Sequence, residues 1–321
     1  MNENSLIFGY AYNSDREIQI LDDFLKETAN QSLVWYHLDG SNHLTQDKLL
    51  ENKIINSLIC NELMSEDTRP TIKNYNDGFF ITLRCMNYNP ESNPEDMVAL
   101  HIWIKDNLII TVRREKVFAI DDVINYIKAG HKIRNRGDLL IHILSSINDR
   151  IGGIIVDIED KVDELEETLI EGKIENVRSK LTRIRRKIIS IRRYIVPQKE
   201  VLSKLNFESN LFSDESQGWK IRDSAEKLTR IIEDMDLIRD RASLIHEEIN
   251  NKIAENMNKT MYALSIVATI FLPLGFLTGL FGINVGGMPG VGNPFAFYIL
   301  FAVCIVIFIF EYLYFKRNRL F

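Results

Sequence analysis

Gly282, Ile283 and Asn284 stand where a long charge-free run gives way to a glycine-rich segment, and chemistry is most readily placed on them. Glycine lets backbones approach closely, and the carbonyls that end a helix carry negative partial charge. The asparagine amide adds a neutral oxygen. Repeated around an axis, such groups can hold a cation that keeps its first-shell water, which suits ions that dehydrate reluctantly. Alone, the tripeptide is also an ordinary helix cap; its position is what makes it informative. Counting back at helical spacing places Gly279, Gly275, Leu272, Ala268, Leu264, Met261 and Asn258 on the face that ends at Gly282. Small residues near Gly282 leave width, although Gly275 and Gly279 are also spaced as a packing pair. Leu264 and Met261 make an apolar constriction able to gate by dewetting.

Other chemistry is thinly represented. From Thr260 to Tyr314 the only carboxylate is Glu311, which is either a proton-relay candidate or an interfacial partner of Lys316 or Arg317. The six histidines are scattered, and none joins a cysteine or carboxylate at metal-motif spacing. No glycine-rich phosphate loop is present, so neither an enzyme nor a cofactor is expected. Cys60, Cys85 and Cys304 are odd in number and far apart, which supports reduced thiols rather than a disulfide framework or zinc ribbon.

The elements that must position these residues are membrane helices. The stretch 260–281 is long enough to cross a bilayer core, and so is 295–315. Pro273 is tolerable inside such a span. Lys252 and Lys259 precede the first span, Lys316, Arg317 and Arg319 follow the second, and the loop 282–294 carries no charge. Both termini are therefore expected in the cytosol, with 316–321 a basic cytosolic tail. The N-terminus lacks the pattern of a secretory signal. One hairpin cannot enclose an ion path, so a pore needs several chains.

Ahead of the spans, 1–137 reads as a mixed α/β domain with strands Leu6–Tyr12, Leu33–Leu38, Phe79–Asn87, Met97–Ile104 and Leu108–Arg113. The last two flank a Lys105-Asp106-Asn107 hairpin, and Thr45–Ser57 reads as a helix. A helical hairpin is expected over 138–218. Its first seam is Leu140, Leu144, Ile147, Ile151, Ile154 and Ile158, resuming after one slip at Val162, Leu165 and Leu169. Its second is Ile174, Val177, Leu181, Ile184, Ile188, Ile191 and Ile195. The stretch 157–171 holds eight acids and one lysine, and 178–193 holds eight basic residues and no acid, so an antiparallel pair should lay opposite charges together. That basic run has no interleaved aromatics before Tyr194, which argues against nucleic acid as a partner. A stalk, 219–259, carries the stripe Leu228, Ile231, Met235, Ile238, Ala242, Ile245 and Ile249. Running into the first span, it would make one helix roughly 90 Å long. A stripe on so long a rod is expected to pack on copies of itself around an axis.

The stretch FLPLGFLTGLFGINVGGMPG, from Phe271 to Gly290, resembles the signature of the CorA-type divalent cation transporters, whose filter motif is Gly-Met-Asn. Ile283 and the following Val285-Gly286-Gly287 are closer to the ZntB-like zinc-transporter branch. Asp67-Thr68-Arg69-Pro70, Asp77-Gly78, Leu83-Arg84, Asn87, Asn89-Pro90, Pro94-Glu95-Asp96-Met97-Val98 and Val112-Arg113-Arg114 resemble that branch in order and spacing. The resemblance implies a funnel-shaped homopentamer in the inner (plasma) membrane, with the long helix lining the axis and 282–284 as filter. It implies transport of zinc, with proton coupling raised and a CorA-type magnesium, cobalt or nickel channel as the alternative. A membrane-anchored scaffold or metal sensor is the remote alternative. Two features depart from the family. Gly290 follows Met288-Pro289 where many members have an acid, and the pore helix has no zinc ligand, so zinc would pass hydrated.

Overall fold

The computed structural model describes residues 5–13, 18–24, 31–51, 53–66, 69–171, 176–206, 211–212, 214–283, 290 and 292–317. It divides into two compact units, Met1–His246 and Glu247–Phe321.

Among the described residues the first unit has seven strands: β1 Leu6–Tyr12, β2 Ile18–Leu21, β3 Leu33–Asp39, β4 Thr71–Tyr75, β5 Gly78–Cys85, β6 Val98–Lys105 and β7 Leu108–Arg113. They form one sheet in the order β2-β1-β3-β7-β6-β5-β4. The β3–β7 pair is parallel and the other neighbours are antiparallel, so the sheet is mixed. β3 (LVWYHLD) is buried along nearly its whole length, as a central strand covered on both faces must be. Asp106, at φ 47°, turns β6 into β7.

Thr45–Ser57 is not one helix. α1 (Leu44–Glu51) stops, and α2 (Ser57–Leu63) starts afresh. The break is a left-handed cap: Lys53 has φ 53°. Its N–H reaches Leu50 O at 3.0 Å, while Ile54 N–H reaches Leu49 O at 3.2 Å. Asn56 then caps α2, its Oδ1 accepting from Ile59 N–H at 2.9 Å. Leu49, Ile59 and Leu63 join Val34, Tyr36, Trp103 and Ile110 in one core beneath these helices.

α3 (Phe118–Lys128) leads to α4 (Arg136–Ile170), and α5 (Val177–Leu205) follows. Asn135 starts α4 by accepting from Asp138 N–H at 3.0 Å. The buried seam of α4 passes through Ile155 rather than Ile154, so the spacing runs 151, 155, 158, 162 with no slip. α5 buries Val177, Leu181, Ile184, Ile188, Ile191 and Ile195 as expected, while Ile174 lies outside the described residues. Pro197 falls inside α5. The buried Gln198 beside it ties the helix to the sheet, accepting from Arg84 N–H at 2.7 Å.

α6 is a single helix of 68 residues, Glu215–Gly282. Its stripe Leu228, Ile231, Met235, Ile238, Ala242, Ile245 and Ile249 is buried within the chain itself, not left open for copies. Asn148 Nδ2 of α4 donates to Ser224 O at 2.9 Å, and Arg192 of α5 pairs with Asp236 at 3.1 Å, so both helices flank this segment. At roughly 1.5–3 kcal/mol per fully buried aliphatic side chain, the seam is satisfied without a second copy. The charged faces of the hairpin also differ from expectation. Asp157, Lys161 and Glu164 of α4 line a groove opposite Lys180, Arg183 and Lys187 of α5. The close ion pairs of the acidic face run instead to α6, where Arg241 lies 2.6 Å from both Asp163 and Glu166.

The second unit holds the rest of α6 and α7 (Ala296–Arg317). Among the described residues, three helices are long and apolar enough to cross a membrane: α4, α6 and α7. The apolar window of α4 is 56% buried inside the protein, whereas those of α6 and α7 are 6% and 0% buried. α4 therefore already has its apolar solvent.

Candidate functional site

α6 beyond Thr260 can be read as two faces. Ile266 is buried, and Ile270, Pro273, Leu274 and Leu277 are half-buried, so a stripe at helical spacing is covered. Asn258, Met261, Leu264, Ala268, Leu272, Gly275, Gly279 and Gly282 are all exposed. At 100° per residue their mean direction falls about opposite the covered stripe. Met261, Leu264 and Leu272 are 59%, 69% and 72% exposed. A Cβ added at Gly275, Gly279 or Gly282 would meet nothing within 4 Å among the described residues, so none of these packs on that side of the glycines.

The hydroxyls of this stretch are satisfied locally. Ser265 Oγ donates to Met261 O at 2.9 Å, and Thr269 Oγ1 to Ser265 O at 2.8 Å. Thr278 Oγ1 donates to Leu274 O at 2.9 Å. Pro273 has no N–H for the carbonyl one turn back, a loss the helix absorbs without breaking. α6 ends at Gly282, and Ile283 beyond it is 50% exposed. Asn284, the third residue of the expected filter, lies outside the described residues.

On α7, Leu300, Cys304, Ile307, Glu311 and Phe315 form a half-buried stripe among exposed neighbours. Glu311 Oε2 is buried and has no hydrogen-bond partner among the described residues. That is not the ion pair with Lys316 or Arg317 expected of an interfacial anchor. The turn before α7 accounts for Gly290. Its φ of 97° is one that side-chain-bearing residues avoid, and its carbonyl accepts from Asn293 N–H at 3.0 Å. An acid at this position would be strained.

Among the described residues, no group of three or more His, Cys, Asp or Glu is placed to hold a metal ion. The buried histidines are spent on the sheet. His37 Nδ1 is 2.8 Å from Thr111 Oγ1, and Arg113 Nε donates to His37 Nε2 at 3.0 Å. Burial, with Arg113 beside it, lowers His37 to about 3. Burial also lowers His101, whose Nδ1 is 3.1 Å from Thr82 Oγ1, to about 4. Cys60 and Cys85 are buried free thiols. Burial pushes Cys85 up to about 12.

The CorA-like Mg2+ transporter protein family matches residues 30–317. The zinc transport protein ZntB of Pectobacterium carotovorum subsp. carotovorum (strain PC1) is 36% identical over 273 residues, covering 85% of this chain and 83% of that relative. ZntB of Yersinia pestis is 32% identical over 285 residues, covering 89% and 87%. Among solved structures, the full-length CmaX protein matches with a TM-score of 0.82 at 30% identity, over 99% of each chain. The CorA magnesium transporter from Methanocaldococcus jannaschii shares the fold, with a TM-score of 0.86 at 22% identity over 99% of each chain.

Proposed function

The chain belongs to the CorA-like Mg2+ transporter family, and on that premise we propose that it carries divalent cations across a membrane, zinc foremost. The observation that carries this reading is the exposed face of α6, charge-free from Thr260 and ending at Gly282. So much apolar surface is stable only in lipid or against other protein. Lipid suits the sides of the hairpin. The side opposite the covered stripe, with its glycines, suits an axis.

In this reading the spans 260–281 and 295–315 form a two-helix hairpin, their half-buried stripes facing each other. The loop 282–294 lies outside, and both termini lie in the cytosol of an inner (plasma) membrane. Five chains surround the axis. Met261 and Leu264 constrict the cytosolic end, and Gly282, Ile283 and Asn284 form the filter. With no His, Cys, Asp or Glu along the path, zinc crosses with water in its first shell. The unpartnered Glu311 oxygen supports a relay reading over an anchor reading, because an interfacial anchor would hold it in an ion pair with Lys316 or Arg317.

Purified protein in proteoliposomes tests this. Flux of zinc, magnesium, cobalt and nickel is measured with and without an inward proton gradient. Zinc should pass fastest and respond to the gradient. Preferred magnesium flux without a gradient effect would favour the CorA-type channel. No flux of any cation would leave the scaffold or sensor reading.

A further inference from the structure

We propose that the ring stack His131–Tyr126–His142 is a proton-operated latch between α3 and α4, closed while either imidazole is neutral and opened when both are charged. Gly130, at φ 89°, turns the chain back after α3 and so brings His131 onto Tyr126. The His131 imidazole stacks on the Tyr126 ring with centroids 4.3 Å apart and planes at 17°. His142 of α4 lies against the same ring at 4.4 Å and 34°. One face of a phenol has no room for two rings this close, so the tyrosine is held between them. A recess of about 250 Å³ opens beside Tyr126 and His142, among Asp122, Ser145, Ser146 and Asp149, and leaves the imidazole space to turn.

The charges around the stack make it sensitive to protons. Its neighbouring carboxylates are already engaged. Asp122 of α3 accepts from Arg150 Nε at 2.6 Å and Nη2 at 2.7 Å. Asp138 of α4 pairs with Arg134 at 3.0 Å, and Asp149 of α4 pairs with Lys227 of α6. Beyond Asp138 and His131, the charged groups facing His142 are cations, Arg134 from the turn and Lys220 from α6. An arriving imidazolium therefore finds no free acid. One cation on the face of an aromatic ring is favourable. A second gains the opposite face but meets the first less than about 9 Å away, near the screening length of physiological salt. Burial lowers His142 below the ordinary histidine value; Asp138 opposes that shift, and Lys220, Arg134 and His131 add to it. A freed His142 binds a proton more readily than a stacked one, so falling pH below about 6.5 draws the latch open. The inference stands on the first unit alone and is independent of the transport reading.

The test is hydrogen exchange of the full chain in detergent, read by mass spectrometry at about pH 7.5 and about pH 5.5 and corrected for the intrinsic pH dependence of exchange. Peptides covering 118–146 should lose protection roughly threefold to tenfold at the lower pH, beyond any change common to the whole chain. His131→Phe and His142→Phe each keep a stacked aromatic ring but leave only one imidazole to charge. Both should match the parent at the higher pH and lose the local acid response. Tyr126→Leu, which removes the shared ring, should leave the segment less protected at both pH values. A local acid response equal to the parent's in either phenylalanine variant would overturn the proposal. So would a parent whose loss in this segment is no larger than elsewhere, or a Tyr126→Leu protein as protected as the parent.

Discussion

Asn284 follows α6 and Ile283 directly and supplies the only side-chain carboxamide between Asn258 and Asn293. Asn284→Ala should abolish selective cation flux while leaving assembly intact, because no apolar core is disturbed. Competition of zinc with magnesium in proteoliposomes checks this, and unchanged selectivity removes Asn284 from the filter. A second residue-scale effect concerns pH. Unfolded histidines titrate near 6.5, whereas burial holds folded His37 at about 3 and His101 at about 4. As pH falls through 6.5 the unfolded chain therefore takes up more protons than the folded one. Stability is complete above that pH and drains away toward the folded values, on the order of 1.4 kcal/mol per pH unit for each histidine. Melting temperature should fall between about pH 6.5 and about pH 4; a flat profile would contradict the buried neutral rings. The end of α6 at Gly282 was readable in the sequence because it borders a charge-free run. The strain that excludes an acid from position 290 was not, since a φ angle leaves no trace in composition.

At the scale of elements, legibility followed burial. The strands covered on both faces, β3, β6 and β7, announce themselves as apolar runs, whereas the edge strands β2 and β4 do not. β4 (TIKNY) is half-polar and β2 has only Leu21 buried, which suits edges that must not recruit further strands. The single helix expected over Thr45–Ser57 hid a cap made by lysine where glycine is usual. The α6 stripe had the right residues and the wrong partner, because periodicity reports that a face is covered and not by what. Arg241 was missed for a similar reason, its three acidic neighbours lying some 75 or more positions earlier in the chain. Arg241→Gln should cost about 1 kcal/mol, less at high salt, by urea titration, whereas Arg185→Gln on the open face of α5 should cost nothing measurable. On α6 beyond Thr260, single cysteines at Leu264, Ala268 and Leu272 should react with a membrane-impermeant thiol reagent in the assembled protein. Cysteines at Ile266 and Ile270 should not, and equal labelling of both sets would reject the pore face.

The whole molecule has to be an assembly if it is a pore, yet the reason differs from the one periodicity suggests. With Leu228 to Ile249 buried inside one chain, that stripe asks for no second copy. Among the apolar side chains the first unit leaves exposed, two lie on this same helix one heptad apart. Leu237 and Leu244 are seven residues apart and 57% and 66% exposed. We propose these two leucines, one heptad apart on the exposed face of α6, as a contact between copies. Purified in detergent, the protein should have a mass that is a whole multiple of the chain, five by family resemblance. Leu237→Asp combined with Leu244→Asp should shift that mass toward the single chain. The circular dichroism should stay unchanged, because neither side chain supports the fold of its own subunit. Zinc uptake into liposomes should fall with the assembled fraction, since one hairpin cannot enclose a path. A single-chain mass that still supports uptake would end the axial-pore reading, whatever the filter residues do.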